Sequence, residues 1–171
     1  MTTWFTSDTH FGHANIIKLS NRPFTDVVDM DRTLIDNINK KVKSTDVLYH
    51  LGDFSWGNES MIKYYRDKIF CNNIVFIYGN HDKPLEANRK FTLEMFSEAH
   101  VALERSIQGQ YIHMFHFPIL EWDGFWRASW HLFGHVHGAK HHPEPRAWDV
   151  GVDVNGYAPI SFEELTEIIK Q

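Results

Sequence analysis

Residues 134–138 read GHVHG, with His135 and His137 two apart between glycines. In extended backbone, side chains at that spacing project to one side. Two imidazoles aimed into one small volume fill a core poorly and suit a metal. A polar loop that happens to hold histidines is the alternative. Other residues of the same character weigh on the choice. Asp8 and His10 stand in SDTHFGH, Asp53 closes LGD, Asn80, His81 and Asp82 follow in GNHD, and His116 opens HFP. The candidate ligands Asp8, His10, Asp53, Asn80, His116, His135 and His137 comprise two carboxylates, one amide and several imidazoles, with no thiolate. Such a mixed oxygen and nitrogen set suits Mn²⁺, Fe or Zn²⁺ better than Ca²⁺ or a soft metal. It is too large for one tetrahedral zinc and matches two ions sharing a bridging carboxylate. Two-ion sites activate a water and stabilise both oxygens of an in-line phosphoryl displacement.

Each group follows an apolar run. Trp4–Thr6 leads to Asp8 and His10, Val47–His50 to Asp53, and Ile74–Tyr78 to Asn80. Tyr111–Phe115 leads to His116, and Leu132-Phe133 to His135 and His137. Open α/β sheets bind ligands just beyond the carboxyl ends of their strands, so five strands would deliver all these groups to one edge. Helical periodicity separates the strands. Met30, Leu34, Ile35, Ile38 and Val42 predict an amphipathic helix over 28–43, with further helices over 59–69 and near 91–97. Strands are expected at 46–50, 73–78, 100–105, 111–116, 130–133 and 148–154. A turn follows at Asn155-Gly156, and a capping box of Ser161 and Glu164 opens a last helix through Ile169. The alternation is that of an α/β protein.

The 171 residues suit one domain spanning 1–171. Twelve histidines against 17 lysines and arginines raise the expectation of a metal site. A formal charge of −5 and no long basic run argue against strong binding of duplex nucleic acid. A small phosphate substrate stays open, because bound cations add charge that a residue count misses. Cys71 is the sole cysteine, which excludes an intramolecular disulfide and a cysteine-based zinc cluster. The N-terminus does not read as a signal peptide and no apolar run is long enough to span a bilayer, so a reducing cytoplasm is the expected compartment.

The blocks DTH, GD, GNHD, the isolated His116 and GHVH occur in the order found in the calcineurin-like metallophosphoesterase superfamily, across residues 8–137, and the chain resembles its small single-domain members. The resemblance implies two mixed β-sheets packed as a sandwich and flanked by α-helices, with a dinuclear site at the sheet edge. It implies that Asp8, His10, Asp53 and His137 hold one ion, and that Asp53 bridges to a second completed by Asn80, His116 and His135. A hydroxide between the ions would attack phosphorus, and His81 would protonate the departing alkoxide. Mn²⁺ is the expected metal, with Fe, Zn²⁺ and Ni²⁺ as alternatives. The function implied is hydrolysis of a phosphate ester, a diester first. A nuclease or cyclic-nucleotide phosphodiesterase is the alternative within enzymes, and a non-catalytic protein-binding scaffold the alternative outside them.

Several residues have two readings. Arg22, in NRPF, is a candidate phosphate clamp or a surface arginine. His13 lies near enough to DTH to contact substrate, or faces solvent. Asp82 orients His81 or caps the next turn, His50 belongs to the core or supports a ligand, and His113 packs on the face opposite His116. His141 and His142 are expected to face solvent. Trp122, Phe125, Trp126 and Trp130 form a nucleobase wall, a core, or a contact in a homodimer.

Overall fold

The computed structural model describes residues 1–169. One sheet has β1 (Thr3–Thr6), β2 (Val47–His50), β3 (Asn73–Ile77) and β4 (Glu98–His100) in parallel, with β9 (Ile160–Ser161) antiparallel at the β1 edge. The other has β5 (Ala102–Ile107) antiparallel to β6 (Gln110–Phe115), followed in parallel by β7 (Trp130–Phe133) and β8 (Ala147–Asp149). Both sheets are mixed, as the resemblance implied.

Successive strand residues enter different cores because side chains alternate across a pleated sheet. Leu48, Ile74 and Phe76 face the helices, whereas Tyr49, Val75 and Ile77 face the second sheet. The helical side is filled from α1 (Ala14–Leu19), α2 (Val27–Lys41), α3 (Glu59–Arg66), α4 (Lys83–Ala87) and α5 (Arg89–Met95), with Met30, Leu34 and Ile38 of α2 at its centre. The inter-sheet core takes Ile112, Met114, Trp130 and Leu132 from β6 and β7, and Phe162, Leu165 and Ile169 from α6 (Phe162–Ile169). Each fully buried side chain of this size contributes about 1.5–3 kcal/mol. The capping box that opens α6 is formed: Ser161 N–H donates to Glu164 Oε2 at 2.7 Å and Glu164 N–H to Ser161 Oγ at 3.1 Å. Asp26 and Asn58 cap α2 and α3 by accepting from Asp29 and Met61 N–H.

The departures from the sequence reading have local causes. The strand expected over 148–154 stops at Asp149. The Asp149 carboxylate folds back onto Gly151 N–H at 2.8 Å, and Asn155 Nδ2 donates to the Asp149 and Gly151 carbonyls. Val150 and Val152 alternate like strand residues but are buried in that turn. The strand expected over 100–105 is two strands, parted at exposed Val101 where the chain passes from one sheet to the other. The helix expected over 59–69 ends at Arg66, whose guanidinium donates to the carbonyls of Ile69, Cys71 and Met95. Helices α1 and α4 are too short to leave a periodic signature. Among the described residues no helix is long and apolar enough to cross a membrane.

His131 is buried on the outer face of the second sheet, its ring nitrogens each 3.2 Å from a carbonyl, of His113 and of Phe117. Burial lowers its pKa to about 4, against the opposing pull of the His113 carbonyl. The unfolded chain therefore takes up this proton first, so stability is full above pH 6.5 and is lost as the pH falls toward 4. Between pH 7.5 and 5 this group alone should remove on the order of 2 kcal/mol. Urea unfolding of the metal-free chain at several pH values checks it: His131→Phe should show a shallower fall than the wild type, and identical slopes would contradict it.

Candidate metal centre

The five deliveries do meet. Beyond the strand ends the loops stay hydrogen-bonded: Asp8 N–H donates to Gly52 O, His10 N–H to Asp53 O, and Gly134 N–H to His116 O, at 2.9–3.0 Å. Ser7 and Gly151 form a parallel bridge joining the two sheets at this edge. The backbone is strained where it carries the candidate ligands. Asp8, His10, Asp53, His135 and His137 have φ of 58°, 48°, 55°, 69° and 49°. A left-handed conformation costs a non-glycine residue about 1–2 kcal/mol, and clusters of it mark functional sites. His135 and His137 are therefore not in extended backbone, which corrects the premise drawn from their spacing. Their imidazoles diverge, His137 joining Asp8 and His10, and His135 joining Asp53 and His116. Gly134 and Gly79 permit the convergence by close approach: a Cβ on the first would collide with Ser7 and Asp8, on the second with the Asp53 carboxylate.

The two groups touch through one atom. Asp53 Oδ2 lies 3.4 Å from His10 Nε2 and 3.5 Å from His116 Nε2. Asp8 Oδ1 is 3.9 Å from His10 Nε2 and 3.8 Å from His137 Nε2, and Asn80 Oδ1 is 3.1 Å from His116 Nε2. Both carboxylates are anchored by backbone, Asp8 accepting from His135 N–H and Asp53 Oδ1 from His81 N–H at 2.8 Å. His116 Nδ1 donates to the Leu51 carbonyl and His137 Nδ1 to Asp153, both at 2.7 Å, leaving each Nε2 as the inward donor atom. Carboxylate or carbonyl support behind a histidine is what a metal ligand needs.

The residues present fit a cation. His10 Nε2 is buried and has no hydrogen-bond partner among the described residues, although it points between two carboxylates. Leaving such an atom unmet costs about 1–3 kcal/mol, which a bound ion would remove. Charge is concentrated accordingly. Burial resists ionisation of Asp53, yet the hydrogen bond and charge of His116, with the His81 backbone N–H, hold it well below the usual carboxylate range. Burial likewise opposes the His116 cation, but Asp53 and Asp8 outweigh it and raise the pKa to about 9. His10 goes the other way: burial takes it down to about 2, keeping it neutral, as a ligand must be.

The remaining candidates separate. His13 and His81 flank the centre, their rings 5.5 and 5.3 Å from that of His10. Arg22 does not clamp phosphate. Its side chain is 0% exposed, and its five N–H donors reach both oxygens of Asp153, the carbonyls of Asp8 and Thr9, and Met30 Sδ. Asp82 neither orients His81 nor caps α4; it accepts from Gly79, Asp53 and Phe54 N–H, tying two ligand loops together. Burial, then the nearby Asp53 charge, raises its pKa to about 7. His50 is a core residue bonded to Thr9 Oγ1, and His113 packs against His131 on the outer face. His142 is half-buried and tied down on both ring nitrogens: its Nε2 donates to the Ile119 carbonyl and its Nδ1 accepts from Glu144 N–H. Nor do residues 122–130 make one wall. Trp122 is buried on the outer face against Ser129, Trp130 stacks on Phe162 in the inter-sheet core, and Trp126 is 85% exposed. Asp153 and Asp149 went unrecognised in the sequence. The signal was an acid at each end of DVGVD, which reads as strand.

A family model for calcineurin-like phosphoesterases matches residues 1–128. The chain belongs to that family. This phosphoesterase is 34% identical to an uncharacterized protein of Methanocaldococcus jannaschii over 96% of its own length and 89% of that protein's. It is 33% identical over 51% of its length to the gene 66 protein of Mycobacterium phage L5, covering 42% of that protein. Among solved structures, a protein of unknown function from Aquifex aeolicus superposes with a TM-score of 0.77 at 27% identity, over 97% of this chain and 98% of that one. A novel archaeal phosphodiesterase shares the fold at a TM-score of 0.51 and 17% identity, over 88% and 82% of the two chains. The family acts on phosphate esters and uses divalent metal ions, for which this member has two groups of ligand atoms.

Asp153 supports both His137 and buried Arg22. Asp153→Asn should weaken Mn²⁺ binding by about 10–100-fold, read by calorimetric titration, with near-ultraviolet circular dichroism to verify the fold. Unchanged affinity in a folded variant would remove Asp153 from the centre.

Proposed function

We propose that this chain is a dinuclear, metal-dependent phosphodiesterase, with Mn²⁺ as the preferred ion. The observation that carries this is Asp53 Oδ2, which stands within 3.5 Å of ligand nitrogens from both groups and so occupies the position of a shared ligand. Asp8, His10 and His137 would complete one ion's shell, and Asn80, His116 and His135 the other's. When bound, the ions supply a nucleophilic water at neutral pH and a clamp on the attacking and leaving oxygens.

The chain's own residues do the rest. Asp8 and Asp53 provide negative charge that backbone N–H groups keep in place. His116 would have to be deprotonated at Nε2 to hold an ion, and the carboxylates that raise its pKa are the charges a cation would neutralise. His81 is exposed beside the centre, and its backbone is pinned to Asp53 Oδ1. Its imidazole would give a proton to the leaving alkoxide, a role that contributes about 10²–10⁴-fold. A diester is favoured as substrate because the archaeal neighbour is a phosphodiesterase. The complete ligand set argues against a non-catalytic scaffold, which has no use for strained, buried carboxylates.

Hydrolysis of bis(p-nitrophenyl) phosphate should be abolished by EDTA and restored by Mn²⁺. His81→Ala should keep its metal and lose about 10²–10⁴-fold in kcat on alkyl esters, with a smaller loss for p-nitrophenolate, which leaves without a proton. No turnover by metal-loaded protein on any mono- or diester would end the enzymatic reading. An unchanged rate with alkyl leaving groups would take the acid's role from His81.

A further inference from the structure

We infer that Trp56, backed by His13, is a stacking shelf for the nucleobase of a small nucleotide ester. This rests on the phosphodiesterase proposed above and adds the substrate class. Trp56 follows the Asp53 loop and is 50% exposed, so part of a large flat ring is open to a ligand beside the centre. One face lies on the His13 ring, with centroids 4.3 Å apart and planes 15° from parallel. The part of it left open to solvent, beside His81, is what a second flat ring would meet. The indole is not a loose surface residue. Its N–H backbone group donates to Phe11 O at 2.8 Å, and Phe11 pairs with Ser55, so two metal-bearing loops hold it.

The shelf begins one ring away from the reacting centre. His13 is 5.5 Å from His10 and 6.2 Å from His81 between ring centroids, and Trp56 is 5.7 Å from His81. A groove of about 490 Å³ runs past His10, His137, His81 and His13, with Ser20 and Asn21 along it, and Trp56 stands outside its lining, against the His13 and His81 rings. That volume lies within the range of small-ligand sites, about 300–1,000 Å³. A net charge of −5 does not favour a polymer, which requires a basic track. A phosphate held between the metal ligands with a planar base reaching Trp56 is therefore a mononucleotide or short nucleotide ester. Aromatic stacking recognises any base by its π face, so the shelf selects for a base without selecting which.

Two diesters with the same leaving group isolate the effect: the p-nitrophenyl ester of thymidine 5′-monophosphate and methyl p-nitrophenyl phosphate, each with the manganese-loaded full chain. The ratio of kcat/KM between them should fall about 5- to 100-fold in Trp56→Ala, mainly through KM, the worth of one stacked base. Trp56→Phe should retain most of the ratio, and Trp126→Ala, in the other exposed tryptophan, should leave it as in the wild type. Calorimetric binding of thymidine 5′-monophosphate against deoxyribose 5-phosphate reads the same difference without turnover. If both esters are cleaved and Trp56→Ala leaves the ratio unmoved, the shelf is overturned and the phosphodiesterase stands. If neither is cleaved but the base still adds Trp56-dependent affinity, the phosphodiesterase falls and the shelf stands. Equal binding of the two monophosphates would overturn the shelf in either case.

Discussion

A carboxylate oxygen of Asp53 lies between imidazoles contributed by two sheets, at a depth where little water reaches it. Burial works against its charge, and two neighbouring cationic or cation-seeking groups more than compensate. The same contest gives Asp8 a raised pKa, because burial there outweighs His116 and His137. A protein has little reason to sink two carboxylates among four or five imidazoles unless a stronger positive charge belongs there. The metal requirement of the family is thus visible as an electrostatic imbalance within this one chain.

Holding that imbalance together takes rigid surroundings. Five of the candidate ligands sit in left-handed backbone, and each excursion would relax if its loop were free. The loops are instead fastened to one another: Asp82 gathers N–H groups from two of them, and Arg22 links the Asp8 and Thr9 carbonyls to Asp153 behind His137. These buried polar groups do no chemistry themselves. They are fully partnered, which is the condition under which buried charge stabilises one geometry and not many.

Much of this was legible in the sequence, and the limits are instructive. The convergence of the candidate ligands was readable because each block follows an apolar strand, and a parallel sheet sends such strand ends to one edge. Arg22 misled because a guanidinium near a phosphate site has the same composition whether it faces ligand or carbonyls; only the three-dimensional acceptor count distinguishes them. The Trp122–Trp130 cluster misled because a loop with a 3₁₀ turn at Phe125–Arg127 lays Trp122 against Phe133 on the outer face, whereas Trp130, the first residue of β7, turns into the inter-sheet core. Trp56 carried no periodic signal at all, since its meaning comes from a ring stacked on it from a separate loop. Asp149 and Asp153 were hidden by apolar neighbours that imitate a strand but fold into a turn.

The central claim is that Asp53 is shared between two cations. Anomalous diffraction at the manganese edge, from crystals of the full chain soaked in Mn²⁺, addresses it directly. The account predicts two peaks about 3.5–4 Å apart, one beside His10 and His137, the other beside His116 and His135, with the Asp53 carboxylate between them. A single peak, or two that leave Asp53 outside both coordination shells, would contradict it.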